Sequence, residues 1–85
     1  MSGRVHVDFA MAPGAVPRMI GLVERRGFEL VALAMDGAVG GDARLLLDVE
    51  ARDRGRSLEV LAGQLRRLRE VRSVSFSLPS ASLAP

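Results

Sequence analysis

His6, the only histidine of the chain, stands two residues before Asp8, a spacing that puts both side chains on one face of a strand. Such a pair could move a proton or begin a metal site, but a metal set needs three or four converging donors. One imidazole among scattered carboxylates does not supply them, and an exposed strand residue is the simpler reading. Cysteine is absent, so there is no thiolate nucleophile, disulfide or cysteine-bound zinc. The residues therefore offer no catalytic set and no metal set. A second candidate is Pro13-Gly14-Ala15-Val16, where a turn runs into a helical pattern. Pro13-Gly14 alone is a turn in most proteins that contain it, and a functional role rests on the residues that flank it. A third is the group Arg66, Arg67, Arg69 and Arg72. It reads first as a solvated helix end, then as a partner contact, and only third as a phosphate site.

The elements that position these residues follow from periodicity. Arg4 to Ala10 alternates, with Val5, Val7 and Phe9 on one face and Arg4, His6 and Asp8 on the other, as in a half-buried strand. After Gly14 the period becomes three and four, with Val16, Met19, Ile20 and Val23 forming the stripe of a helix that Gly27 closes. Pro17 falls in the first turn, where a missing N–H costs nothing. Phe28 to Asp36 is apolar on both faces, Leu30, Ala32 and Ala34 on one and Val31, Leu33 and Met35 on the other. Gly37 to Asp42 reads as a hairpin loop. Ala43 to Ala51 returns as a strand with Leu45, Leu47 and Val49 inward.

Ser57 is placed to cap a second helix, with Glu59 in its first turn and Leu58, Leu61, Leu65 and Leu68 as its stripe. From Val71 the period is two again, with Val74, Phe76 and Leu78 inward. Pro79 ends that strand, and Pro79 to Pro85 has too little apolar mass to order itself. The order strand, helix, strand, strand, helix, strand is the α+β ferredoxin-like arrangement: a four-stranded antiparallel sheet with both helices on one face. Right-handed crossovers place the first and third strands centrally and the second at an edge.

Composition narrows the function classes. The 85 residues suffice for one domain, and a chain this small buries little surface, so association is expected. Twelve basic residues, all Arg, against ten acidic ones leave a net charge of only +2, which does not indicate strong nucleic-acid binding. The chain holds no uncharged apolar segment long enough for a bilayer. No secretory signal is visible before the first strand, and a cytoplasmic location is expected. An RNA-recognition module would need exposed aromatic side chains on its central strands, and all three Phe are predicted inward. An acylphosphatase-like enzyme would need an Asn, and the chain has none. A cysteine-based copper carrier is excluded.

Pro13-Gly14-Ala15-Val16-Pro17-Arg18-Met19-Ile20-Gly21-Leu22, followed by Arg26-Gly27-Phe28-Glu29-Leu30, resembles the ACT domain of acetolactate synthase small subunits. Gln64-Leu65-Arg66-Arg67-Leu68 leading into Val71 is similar to that family's second helix ending. The likeness covers Val5 to Phe76. It implies an ACT domain over residues 4–78 and a flexible tail over 79–85, most similar to the short isozyme II type of small subunit. Such a subunit is non-catalytic: it binds and activates a catalytic subunit that carries thiamine diphosphate, magnesium and flavin (FAD), with no cofactor expected on this chain.

The resemblance further implies an effector site between two ACT units, formed by Met11, Pro13, Gly14, Ala15 and Val16 of one and Glu29 and Leu30 of the other. Valine-sensitive members carry Asn at the positions of Met11 and Glu29. Losing two orienting hydrogen bonds, each worth roughly tenfold or more in affinity, predicts weak or absent valine binding. The apolar run Leu30-Val31-Ala32-Leu33-Ala34-Met35 is the expected homodimer edge, because left free it would aggregate. The competing reading is a stand-alone ACT module sensing another amino acid or small ligand.

Overall fold

A computed structural model describes residues 2–39, 41–53 and 55–78; the segment Pro79 to Pro85, expected to be a tail, lies outside the described residues. The element order is β1 (Ser2–Ala10), α1 (Ala15–Arg25), β2 (Phe28–Val39), β3 (Asp42–Ala51), α2 (Leu58–Arg66) and β4 (Val71–Ser77). All pairings are antiparallel and the sheet order is β2-β3-β1-β4, so β1 and β3 are central and β2 is an edge, as the crossover rule predicts. One core cluster joins the inward residues of β1 and β3 to the buried faces of both helices. Among the described residues, neither helix covers the other face of the sheet.

Local chemistry explains most of the boundaries. Gly14, at φ +79°, precedes α1, and Gly27, at φ +90°, follows it; both lie in the left-handed region that favours glycine. Ser57 caps α2 as expected, its hydroxyl accepting from the Val60 N–H at 3.3 Å. Pro17 sits in the first turn of α1 without disturbing it. Val5, Val7, Phe9, Leu45 and Leu47 are fully buried, so the alternation of the two central strands is read correctly.

The structure departs from expectation at the periphery. β2 runs on to Val39, which pairs with Asp42, so most of the expected hairpin loop Gly37–Asp42 belongs to the strands. The buried stripe of α1 is Ala15, Met19, Leu22 and Val23, with Val16 and Ile20 only half-buried, because the helix is rotated toward its Leu22 side. Ala62 joins the α2 stripe, whereas Leu68 lies beyond the helix and is partly buried. Val74 is inward as predicted, but Phe76 is 37% and Leu78 57% exposed. Phe76 opposes the buried Val5, so its alternation is right, but it stands on an edge strand flanked on one side only; Leu78, expected inward, follows the strand and lines a groove with Arg4, Asp48 and Glu50 of the open face.

A larger correction concerns the two faces of β2. The pairing slips between Leu30 and Ala32, a bulge that leaves Val31 unpaired. Phe28 and Leu30 oppose Ala51 and Val49 on the helix side, but beyond the bulge it is Leu33 and Met35 that oppose Leu47 and Leu45. Directly opposed residues share a face, so one inserted residue exchanges the faces of everything after it. Leu30, Leu33 and Met35 therefore lie together, and Ala32 and Ala34 lie on the open face.

Candidate functional site

The segment before α1 is tied down at its start. The Ala10 N–H donates to the Glu70 carbonyl and the Met11 N–H to the Gly41 carbonyl, each at 2.8 Å, so the loop bridges the end of α2 and the β2–β3 hairpin. Gly14 is the N-cap, and no side chain caps the helix. The Ala15 N–H already donates to the Ala12 carbonyl at 3.1 Å, and the Arg18 N–H to the Gly14 carbonyl at 3.1 Å. Pro17 has no N–H to give. Among the described residues, Ala12, Gly14 and Val16 are the backbone donors left for an anionic ligand, and the Ala15 side chain is buried.

Charge beside this loop comes from Arg18, which pairs with Glu70 and holds its carboxyl below the usual carboxylate range. The arginine group read from the sequence does not act as one cluster. Arg66 donates to the Val74 carbonyl at 2.9 Å, and Arg72 pairs with Asp42 at 2.9 Å. Arg67 and Arg69 line a shallow hollow with Ala12, Arg18, Leu68 and Glu70.

The two sheet edges are finished differently. On β4 the outward carbonyl of Val74 is taken by Arg66, which obstructs strand addition there. β2 has no such side-chain cap among the described residues. Its helix-side residues Leu33 and Met35 are 43% and 49% exposed. α1 packs against β2, and Val16 and Ile20, four residues apart and half-buried, form the flank of that helix opposite Arg18, which turns toward Glu70. Half-buried Leu30, Val16 and Ile20 with exposed Leu33 and Met35 make one apolar margin along this edge.

Against known families, the ACT domain profile matches residues 11–74, most of the chain. The chain belongs to the ACT domain family. No curated protein matches it. Among solved structures it resembles the acetolactate synthase small subunit of Thermotoga maritima, with a TM-score of 0.76 and 24% identity over 96% of this chain and 50% of that one. The ACT domain of the GTP pyrophosphokinase of Chlorobium tepidum matches with a TM-score of 0.73 and 14% identity over 91% and 97% of the two chains. An ACT domain protein from Streptococcus pneumoniae matches at 0.76 and 11% identity over 100% and 97%. At these identities the likeness establishes the fold, and ACT domains as a class are regulatory modules.

In this ACT domain the residues expected to meet an effector fall into two groups. Met11, Pro13, Gly14, Ala15 and Val16 gather at the head of α1. Glu29 and Leu30 lie past its other end, and the 11 residues of the helix separate the groups by ~16 Å at 1.5 Å per residue. One protomer cannot close a ligand between them. Register also divides the second group, since Glu29 opposes Glu50 on the open face and Leu30 opposes Val49 on the helix face. A partner that continued the sheet across β2 would keep its helices on the same side. It would present Leu30, rather than the Glu29 side chain, toward the loop.

The open face of the ACT domain is a lattice of charges. Arg4 grips Asp48 with bonds of 2.7 and 3.2 Å, and Asp8 accepts from Arg44 at 2.8 Å and from Ser73 at 3.0 Å. These contacts hold the Asp8 and Asp48 carboxyls below their ordinary range. His6 lies between the two aspartates, and the described residues contain no group of three metal-ligating side chains. Sequence reading missed Ile20 as an edge residue and Arg66 as an edge cap. No periodic signal marks either, because the first depends on helix rotation and the second on a contact eight residues away.

Proposed function

We propose that this ACT domain is the small regulatory subunit of an acetolactate synthase, of the short isozyme II type, and that it assembles on and activates the catalytic subunit. The observation that carries this reading is the run Pro13–Leu22 with Arg26–Leu30, which resembles that family and spans the loop before α1, the helix and the start of β2. Similarity to the small subunit of Thermotoga maritima along nearly the whole of this chain supports it. The catalytic partner would carry thiamine diphosphate, magnesium and FAD, and this chain would carry none of them. The setting would be branched-chain amino-acid biosynthesis in the cytoplasm.

Assembly in this reading begins with a homodimer through β2, the edge whose backbone is uncapped and whose margin is apolar. Each effector site would then be completed by the second copy, since one chain holds only half of it. Valine feedback would be weak or lost, because Met11 stands where the resemblance implies a hydrogen-bonding asparagine, the Glu29 side chain lies on the open face, and Ala15 and Pro17 contribute no free N–H. Co-expression with a thiamine-dependent catalytic chain tests the assignment. Stoichiometric co-purification and a rise in acetolactate formation are expected, and a catalytic chain whose turnover is indifferent to this protein would sink it. Calorimetry with valine is expected to show no micromolar site. The same substitutions favour, as second reading, a stand-alone ACT module for a different amino acid or small ligand; binding of such a compound without a catalytic partner would select it.

A further inference from the structure

The open face of the sheet ends in a groove of about 610 Å³ that crosses all four strands, from Val31 in the β2 bulge, past Asp48 and Glu50 and across Arg4, to Ser77 and Leu78. Three features of it are unexplained by the fold. Val31 and Leu78, at its two ends, are 63% and 57% exposed, although each could have been polar at no cost to the core. Glu29 and Glu50 are directly opposed across β2 and β3, an arrangement of like charges that destabilises a sheet. Neither has an ion-pair partner among the described residues, while Arg4, Arg44 and Arg72 are held by Asp48, Asp8 and Asp42.

We propose that this groove is a docking site for an extended segment of a partner protein that carries an arginine or lysine flanked by apolar residues. The cation would sit over Glu50, which lines the groove, and relieve its repulsion with Glu29 opposite, and the apolar neighbours would cover Val31 and Leu78. Three strand spacings make the groove about 14 Å wide, the reach of four or five extended residues at about 3.3 Å each. The groove is a half-open cleft and not an enclosed cavity, which suits a segment held by its larger partner better than a free small molecule, which needs most of its surface buried. Charge sets the sign of the partner: of the charged residues lining the groove, Arg4 and Asp48 pair with each other and Glu50 remains, which leaves the groove negative. The site lies on the face away from the helices and is independent of the effector loop.

The test is an amide-shift NMR titration of the full chain with the blocked peptide acetyl-Leu-Arg-Ala-Leu-amide and its citrulline counterpart, which keeps the shape and removes the charge. Saturable shifts are expected at Val31, Glu50 and Ser77, with the citrulline peptide about three- to fivefold weaker, the scale of one partly exposed ion pair. Glu50→Gln should weaken the arginine peptide by the same factor and leave the citrulline peptide unchanged. That variant removes a like-charge contact, so it folds at least as well as the parent. Val31→Ser should weaken both peptides alike. Equal affinity for the two peptides, shifts confined to α1 or the outer edge of β2, or no saturable binding would overturn the proposal.

Discussion

Gly3 shows what a single missing methyl group permits. A Cβ there would lie 2.2 Å from a Leu58 methyl, so β1 and the first turn of α2 pack at a distance only glycine allows. Leu58 is 3% exposed and cannot swing outward without leaving the core. Gly3→Ala is therefore expected to destabilise the protein by about 1 to 3 kcal/mol, the usual cost of overpacking, measurable as a lower midpoint in urea. The carboxylates make a prediction of opposite kind. Asp8 and Asp48 titrate below their ordinary range because Arg44 and Arg4 hydrogen-bond their charged forms. Their contribution is therefore fully present above about pH 4 to 5. It is lost as pH falls through the lowered folded-state values. An Asp48→Asn variant should lose less stability than the parent between pH 5 and pH 2, and the difference should shrink in high salt because both partners are near the surface. Identical acid unfolding curves would show that the Arg4–Asp48 pair contributes nothing.

At the scale of elements, Ser57 and Arg66 do separate jobs on α2. Removing the cap with Ser57→Ala is expected to cost about 1 kcal/mol, seen as a lower thermal midpoint with the fold retained. Arg66→Ala should have a different signature, because it uncovers the Val74 carbonyl on the outer edge of β4. Assemblies larger than the dimer are expected to appear with rising concentration in size-exclusion chromatography, while the thermal midpoint moves little. The same elements show where periodicity is and is not readable. β1 and β3 each bury one face, so their patterns name the core residues directly, and α2 departs only in gaining Ala62 and leaving Leu68 beyond its end. β2 has apolar side chains on both faces, and a one-residue bulge could therefore exchange Ala32 and Ala34 with Leu33 and Met35 without leaving a mark in the sequence.

The whole molecule is finished on one edge and unfinished on the other. Arg66 blocks β4, and the margin of Val16, Ile20, Leu30, Leu33 and Met35 leaves β2 exposed, so light scattering is expected to report a dimer whose dissociation follows Leu33→Arg. A monomer at high concentration in the parent would contradict this. Sequence by itself determined the element order, the strand positions, the central core and the ACT loop, because each depends on local turns or on an alternation repeated several times. Tertiary structure alone decided which α1 residues reach the β2 edge, which edge is capped, and that the head of α1 and the start of β2 lie a helix length apart. Those outcomes turn on a helix rotation of a fraction of a turn, a single inserted residue and one long-range arginine contact. None of them changes the local pattern from which a sequence is read.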